Sequence, residues 1–233
     1  RAIALNLRGE MNSGGQLNAD MRRHGGRFSA SYIDQNEAGT LGWAVGVAYL
    51  DAPSQTRHYK AYAYEVFGRP TLISPDSADN ALFLNGQEIF ATSRQNKRAA
   101  AIGVLEWQPN DVTHLTADMY YSKFKQREVT RGAQWFSNVW ADSQQFTNVQ
   151  ASDVGGSLVA LAGTNTGVAP QLRNDYNTRD DELFSAGLNG EFNMTDKLRF
   201  IADLSYSSNK RDESITETYA GFGCCATNLT QNA

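Results

Sequence analysis

No stretch of the chain approaches the roughly 20 consecutive apolar residues that a membrane helix needs, so no segment reads as a helical span. No charged-then-apolar leader opens the sequence, which begins at Arg1. The missing initiator Met and the start inside a strand pattern suggest a piece of a longer protein. Cysteine is scarce: the two residues, Cys224 and Cys225, are adjacent and cannot staple distant parts together, which excludes a disulfide framework. Excess basic charge is also lacking. With 21 Lys and Arg against 25 Asp and Glu, the net charge of -4 offers little to offset phosphate, so nucleic acid is set aside as a partner. The three histidines, His24, His58 and His114, are scattered without metal-ligand spacing. No nucleophile and base stand together. The expectation is therefore no enzyme, no cofactor and no metal.

What the chain has is alternation. From Leu41 to Leu50, the residues Leu41, Trp43, Val45, Val47 and Tyr49 alternate with Gly42, Ala44, Gly46 and Ala48, a period of two that predicts a strand. Leu198, Phe200, Ala202, Leu204 and Tyr206 share a face opposite Arg199, Asp203, Ser205 and Ser207. The segments Ile3 to Leu7, Phe28 to Tyr32, Leu115 to Tyr121 and Phe184 to Phe192 read the same way; Arg98 to Trp107 fits less cleanly, with Leu105 and Trp107 on one side and Glu106 on the other. About seven strands and no helix are predicted, with Met119 to Arg131 and Leu204 to Thr216 staying strand-like while turning charged.

Connection lengths alternate too. Gln35 to Thr40, Pro109 to Val112 and Met194 to Lys197 are short and hold turn formers. Glu10 to Gly26, Ala52 to Lys97 and Gly132 to Thr178 are long. Short turns on one side and long loops on the other, aromatics near strand ends, and a low mean hydropathy of -0.49 match an outer-membrane barrel. The expected fold is all-β: an antiparallel transmembrane β-barrel fragment with long extracellular loops, in contact with outer-membrane lipid. A passive porin shares these features, and a secreted soluble β-sandwich also alternates.

The segment Gly26-Arg27-Phe28-Ser29-Ala30-Ser31-Tyr32, the turn near Asn36, and Leu41 to Tyr49 resemble the early barrel strands of TonB-dependent receptors, especially the branch common in Caulobacter- and Xanthomonas-like bacteria. Leu105-Glu106-Trp107-Gln108-Pro109, then Leu115 to Phe124 and the hairpin from Phe184 to Tyr206, are similar to later ones. The resemblance spans most of the chain apart from the long loops, so residues 1–233 are expected to be a partial barrel domain lacking its plug and remaining strands. It implies a bacterial outer-membrane location, a plug domain and TonB as partners, and active uptake of a scarce nutrient. A carbohydrate is the first substrate reading and an iron chelate (siderophore) the second. Asp118, Glu106, Glu191, Arg199 and Asp203 are expected to face the lumen and touch the plug.

The long loops are rich in aromatics: Tyr59, Tyr62, Tyr64 and Phe67 in one, Trp135, Phe136, Trp140 and Phe146 in another. Flat rings suit the apolar faces of sugars, and nearby amides suit their hydroxyls. Tyr62, Tyr64, Trp135, Phe136 and Trp140 are the candidate substrate-binding residues; packing of the loops against one another is the plainer alternative. Asp180-Asp181-Glu182 reads either as a cation attractor or as a solvated acidic cluster. Cys224 and Cys225 have a structural reading, bonded to each other or to a loop beyond the chain.

Overall fold

A residue with a large side chain followed by a small or polar one fits a pleated ribbon, whose successive side chains point to opposite faces. The computed structural model describes residues 1–66, 73, 75–137, 146–166, 168–195 and 197–221. Seven strands form one sheet in chain order: β1 (Ala2–Met11), β2 (His24–Gln35), β3 (Leu41–Ala61), then β6 (Gly86–Trp107), β7 (Thr113–Ser137), β10 (Val168–Thr195) and β11 (Leu198–Thr216). β12 (Tyr219–Gly221) pairs with β10. Two small sheets complete the set, β4 (Tyr64–Glu65) with β5 (Phe83–Leu84), and β8 (Phe146–Val154) with β9 (Ser157–Asn165). The fold is all-β with a long antiparallel sheet of long strands; among the described residues β1 and β11 are its edges and it does not close.

All seven predicted strands are present, but two predicted long connections are mostly strand. β3 runs for 21 residues, β6 for 22, β7 for 25 and β10 for 28, taking up much of Ala52 to Lys97 and Gly132 to Thr178. Ladder hydrogen bonds come from the backbone and are indifferent to side-chain polarity. Where both faces turn polar, the period-two signal vanishes from the sequence while the pairing persists. The first long connection shrinks to residues 12–23.

The chain divides into two compact units. One comprises residues 1–55, 93–129 and 176–216. Its registers align the two faces across neighbouring strands. Ile3, Leu5 and Leu7 oppose Tyr32, Ala30 and Phe28, which in turn oppose Val45, Val47 and Tyr49. On β10 and β11, Leu188 opposes Leu204 and Phe192 opposes Phe200. A slip of one residue would exchange the faces, so this agreement fixes the register. The short turns sit together. Asn36 accepts hydrogen bonds at Oδ1 from Thr40 N and Leu41 N, while Gly39 takes φ 66°, the left-handed region. Gln108 N donates to Thr40 O, and Asn193 N to Val112 O. Residues 12–23 fold onto β3, β6 and β7: Asn18 Nδ2 donates to Ser93 Oγ at 2.9 Å, Ser93 Oγ donates to Gln55 Oε1, and Met21 and Val129 are buried.

The other unit comprises residues 56–92, 130–175 and 217–233. It holds a small apolar core of Ile73, Ala78, Ala81, Phe83, Phe146 and Val149, against which Leu158 and Ala160 pack. Phe83 and Phe146 meet at 4.6 Å between ring centroids. The β8–β9 hairpin turns at Gly155 and Gly156, both at positive φ, as a two-residue hairpin requires. Leu82 extends this sheet, its N donating to Leu158 O and its O accepting from Ala160 N.

Candidate functional site

Strand geometry sorts the first unit into two chemically distinct faces. The apolar face is open: Leu5 is 73% exposed, Leu7 84% and Leu204 72%. Phe184 lies 6.3 Å from Tyr206 between ring centroids, and Phe192 lies 6.2 Å from Phe200. These aromatic pairs are separated by about 26 Å along β10 at roughly 3.3 Å per residue.

Small and polar groups make up the opposite face. A trough of about 650 Å³ is floored by small residues such as Ala4, Gly46 and Ala48 and edged by Asn6, Arg98 and Tyr120. The expected lumen residues lie on this face, and four of them have polar partners on it: Glu106 accepts from His114 Nε2 at 2.7 Å, Arg199 pairs with Glu191, and Asn189 donates to Asp203 at 3.1 Å. Asp118 sits beside Gly187, where an added Cβ would meet its carboxylate. Phe124 lies under two guanidiniums, Arg98 at 5.1 Å and Arg179 at 5.6 Å.

The acidic run Asp180-Asp181-Glu182 is fully paired. Glu182 accepts from Lys123 Nζ at 2.6 Å, Asp180 lies 3.4 Å from Lys125 Nζ, and Asp181 binds both Arg179 and Arg211. The Arg179 hydrogen bond holds the Asp181 carboxyl below the usual carboxylate range, and Lys123 does the same for Glu182. Among the described residues no cluster of His, Cys, Asp and Glu suits a metal.

The described loop aromatics lie in the second unit, where Tyr62 and Phe136 pair apart from Tyr64, Trp135 and Phe146. Tyr62 and Phe136 stack on each other, with centroids 5.0 Å apart and planes 3° from parallel. The Tyr62 hydroxyl donates to Glu88 Oε2 at 2.5 Å, and His58 Nε2 meets Glu88 Oε1 at 2.7 Å. Desolvation, then the Glu88 hydrogen bond, push the Tyr62 phenol far up; the same bond holds Glu88 low. Tyr62 and Phe136 thus spend ring face and hydroxyl on protein partners. Phe146 is a core residue, 6% exposed, because it anchors the β8–β9 hairpin. Tyr64 and Trp135 line a pocket of about 420 Å³ together with Gln87, Ser137 and Asn165. Trp140, Phe67, Cys224 and Cys225 lie outside the described residues.

Gln87 and the hairpin are absent from the sequence reading of this pocket. Gly155-Gly156 between two alternating runs was an available hairpin signal. Nothing local marks Gln87, whose place depends on strand pairing across the sheet.

No protein-family profile matches the chain, and no curated protein matches it. Among solved structures, one similar chain is a multiply substituted variant of the Rh. blastica porin, at 10% identity over 95% of this chain and all of that one, with a TM-score of 0.12. A TM-score that low carries no argument about this fold.

Proposed function

We propose that the chain is part of the outer-membrane β-barrel of a TonB-dependent receptor that takes up a scarce nutrient, a carbohydrate before an iron chelate. The observation that carries this reading is the one-sided sheet, with a register-aligned apolar face left open to its surroundings and a polar, ion-paired face behind it. A soluble protein seldom leaves so extended an apolar surface uncovered, whereas a lipid-facing wall requires it. The extended meander and the short turns at one end of the first unit agree with a barrel wall. The two sheet edges agree with further strands beyond β1 and β11, because an exposed edge invites unwanted pairing.

Receptor and passive porin differ in what surrounds this wall. The full reading frame distinguishes them: the receptor reading expects a TonB box and a plug-sized domain upstream, with further alternating strands downstream. A complete frame without a plug leaves a porin, and one without further strands removes both.

A further inference from the structure

The apolar side of the first unit continues past its last aromatics as a band of cations. Beyond Tyr121 the same side of β7 presents Lys123, Lys125 and Arg127 at successive positions of one parity. The Arg94–Glu128 and Thr92–Thr130 contacts set β6 against β7 and put Lys97 across from Lys125 on that side. Over residues 93–101 of β6 and 121–129 of β7, this side carries these four cations and no carboxylate. The facing carboxylates come from β10, where Glu182 lies 2.6 Å from Lys123 Nζ and Asp180 lies 3.4 Å from Lys125 Nζ. Lys97 and Arg127 make no ion pair with any described residue; Arg127 lies over the Tyr176 ring at 5.2 Å. Like charges set opposite each other across a strand pair are destabilising, and an anion between them relieves the repulsion. At the short-turn end the same side finishes in Trp43, Trp107 and Phe200, with no cation on β3, β6, β7 or β11. The band therefore marks one end of the wall only.

A ledge bounds the band on its far side. Residues 12–23 fold onto this side of the sheet: Asn18 Nδ2 donates to Ser93 Oγ at 2.9 Å and to Val129 O at 3.4 Å, and Ser93 and Val129 continue the parity of Lys97 and Arg127. The ledge carries Arg22 and Arg23, both exposed. Between the aromatics and the ledge, Lys123 to Arg127 spans about 13 Å along the strand at roughly 3.3 Å per residue. At a tilt of about 45° that is about 9 Å of height, close to the roughly 5–8 Å of headgroup on each side of a hydrocarbon core. We propose that this band binds the phosphate groups of an anionic membrane lipid, with Lys97, Lys125 and Arg127 as the principal contacts. The inference rests on the reading of the apolar face as a lipid-facing wall and adds the headgroup chemistry that meets it. A choline headgroup neutralises its own phosphate and gives the band little to hold. A phosphate monoester leaves its charge free for charge-assisted hydrogen bonds from ammonium and guanidinium groups. The exposed pairs to Glu182 and Asp180 are weak enough to yield to it.

The test is electron paramagnetic resonance of the whole chain refolded into phosphatidylcholine vesicles that hold a trace of spin-labelled lipid, either phosphatidylcholine or phosphatidic acid. Motional restriction of the phosphatidylcholine label reports the lipid-facing wall by itself, and the ratio of the two labels reports the headgroup preference. One basic residue near an anionic lipid surface corresponds to about fivefold in affinity. Phosphatidic acid is therefore expected to be held at least about fivefold more strongly at low salt, with the preference shrinking in about 1 M salt. Lys97→Gln with Arg127→Gln removes two cations without stranding a carboxylate and should bring the two lipids close to parity. Arg8→Gln with Arg27→Gln removes two cations that oppose each other on the other side of the sheet and should leave the preference unchanged. Lys125→Gln alone, at an exposed position, should also lower the preference and serves if the first pair fails to insert. Equal restriction of both lipids by inserted protein, a preference that survives Lys97→Gln with Arg127→Gln, or an equal loss in the Arg8 and Arg27 control overturns the inference while the wall stands. No restricted phosphatidylcholine at all removes the membrane reading and the inference with it.

Discussion

Asn36 closes the turn after β2 with its own side chain, accepting two backbone N–H groups at 2.9 and 3.0 Å. Replacing it with Ala leaves those donors to water and should cost about 1–2 kcal/mol, read as a lower urea midpoint for the inserted protein; an unchanged midpoint would mean that the turn is held by its neighbours. Phe146 does its work in the small core, so Phe146→Ala should cost roughly 3–5 kcal/mol locally. Limited proteolysis should then cut at Gly155-Gly156 while the first unit stays intact. Glu88 gives a pH dependence with a definite sign. Its carboxyl is held below its ordinary value of 4.5 by Tyr62 first, so its contribution is complete above that value and disappears as pH falls through the lower folded value. The stability difference between the parent chain and Glu88→Ala should therefore be full at pH 7 and vanish in acid; a difference independent of pH would assign the effect to packing. Turns of this kind are legible in sequence, because Asn and Gly act on their own backbone. The occupancy of Tyr62 and Phe136 was not, since each is engaged by a partner distant in the sequence.

At the scale of elements, the alternation of Leu41 to Tyr49 and Leu198 to Tyr206 identified strands because one face must be apolar there. Beyond that zone β3, β6 and β10 carry polar side chains on both faces, and residues 52–61, 86–97 and 168–178 therefore read as loop. Hydrogen exchange tests the difference directly. Backbone amides of residues 52–61, 86–97 and 168–178 should be protected along with the rest of β3, β6 and β10, whereas true loops would exchange within seconds. The charged ladder of Lys123, Lys125, Asp180 and Glu182 lies on this polar stretch and is exposed, so its pairs should contribute little to stability and fade with salt.

For the whole molecule, the central claim is that the open apolar face of the first unit meets lipid. Leu204 separates a lipid-facing wall from a soluble surface: if it faces the middle of the apolar band, Leu204→Arg should cost roughly 2–4 kcal/mol of folding into a bilayer. In a soluble module an exposed leucine exchanged for arginine would change stability by about 0.5 kcal/mol or less. The all-β class and the two faces were legible because they repeat every two residues over many strands. Closure, substrate and partners are not local patterns and were not legible. The most direct measurement is tryptophan fluorescence of the chain refolded into vesicles whose acyl chains carry bromine. Trp43 shares the β3 parity of Val45 and Val47, and Trp107 stands exposed at the end of β6. The account predicts that fluorescence is strongly quenched, and that removing both Trp43 and Trp107 abolishes most of the quenching. Equal emission in brominated and ordinary vesicles, from a chain that stays folded in buffer without lipid, would contradict it.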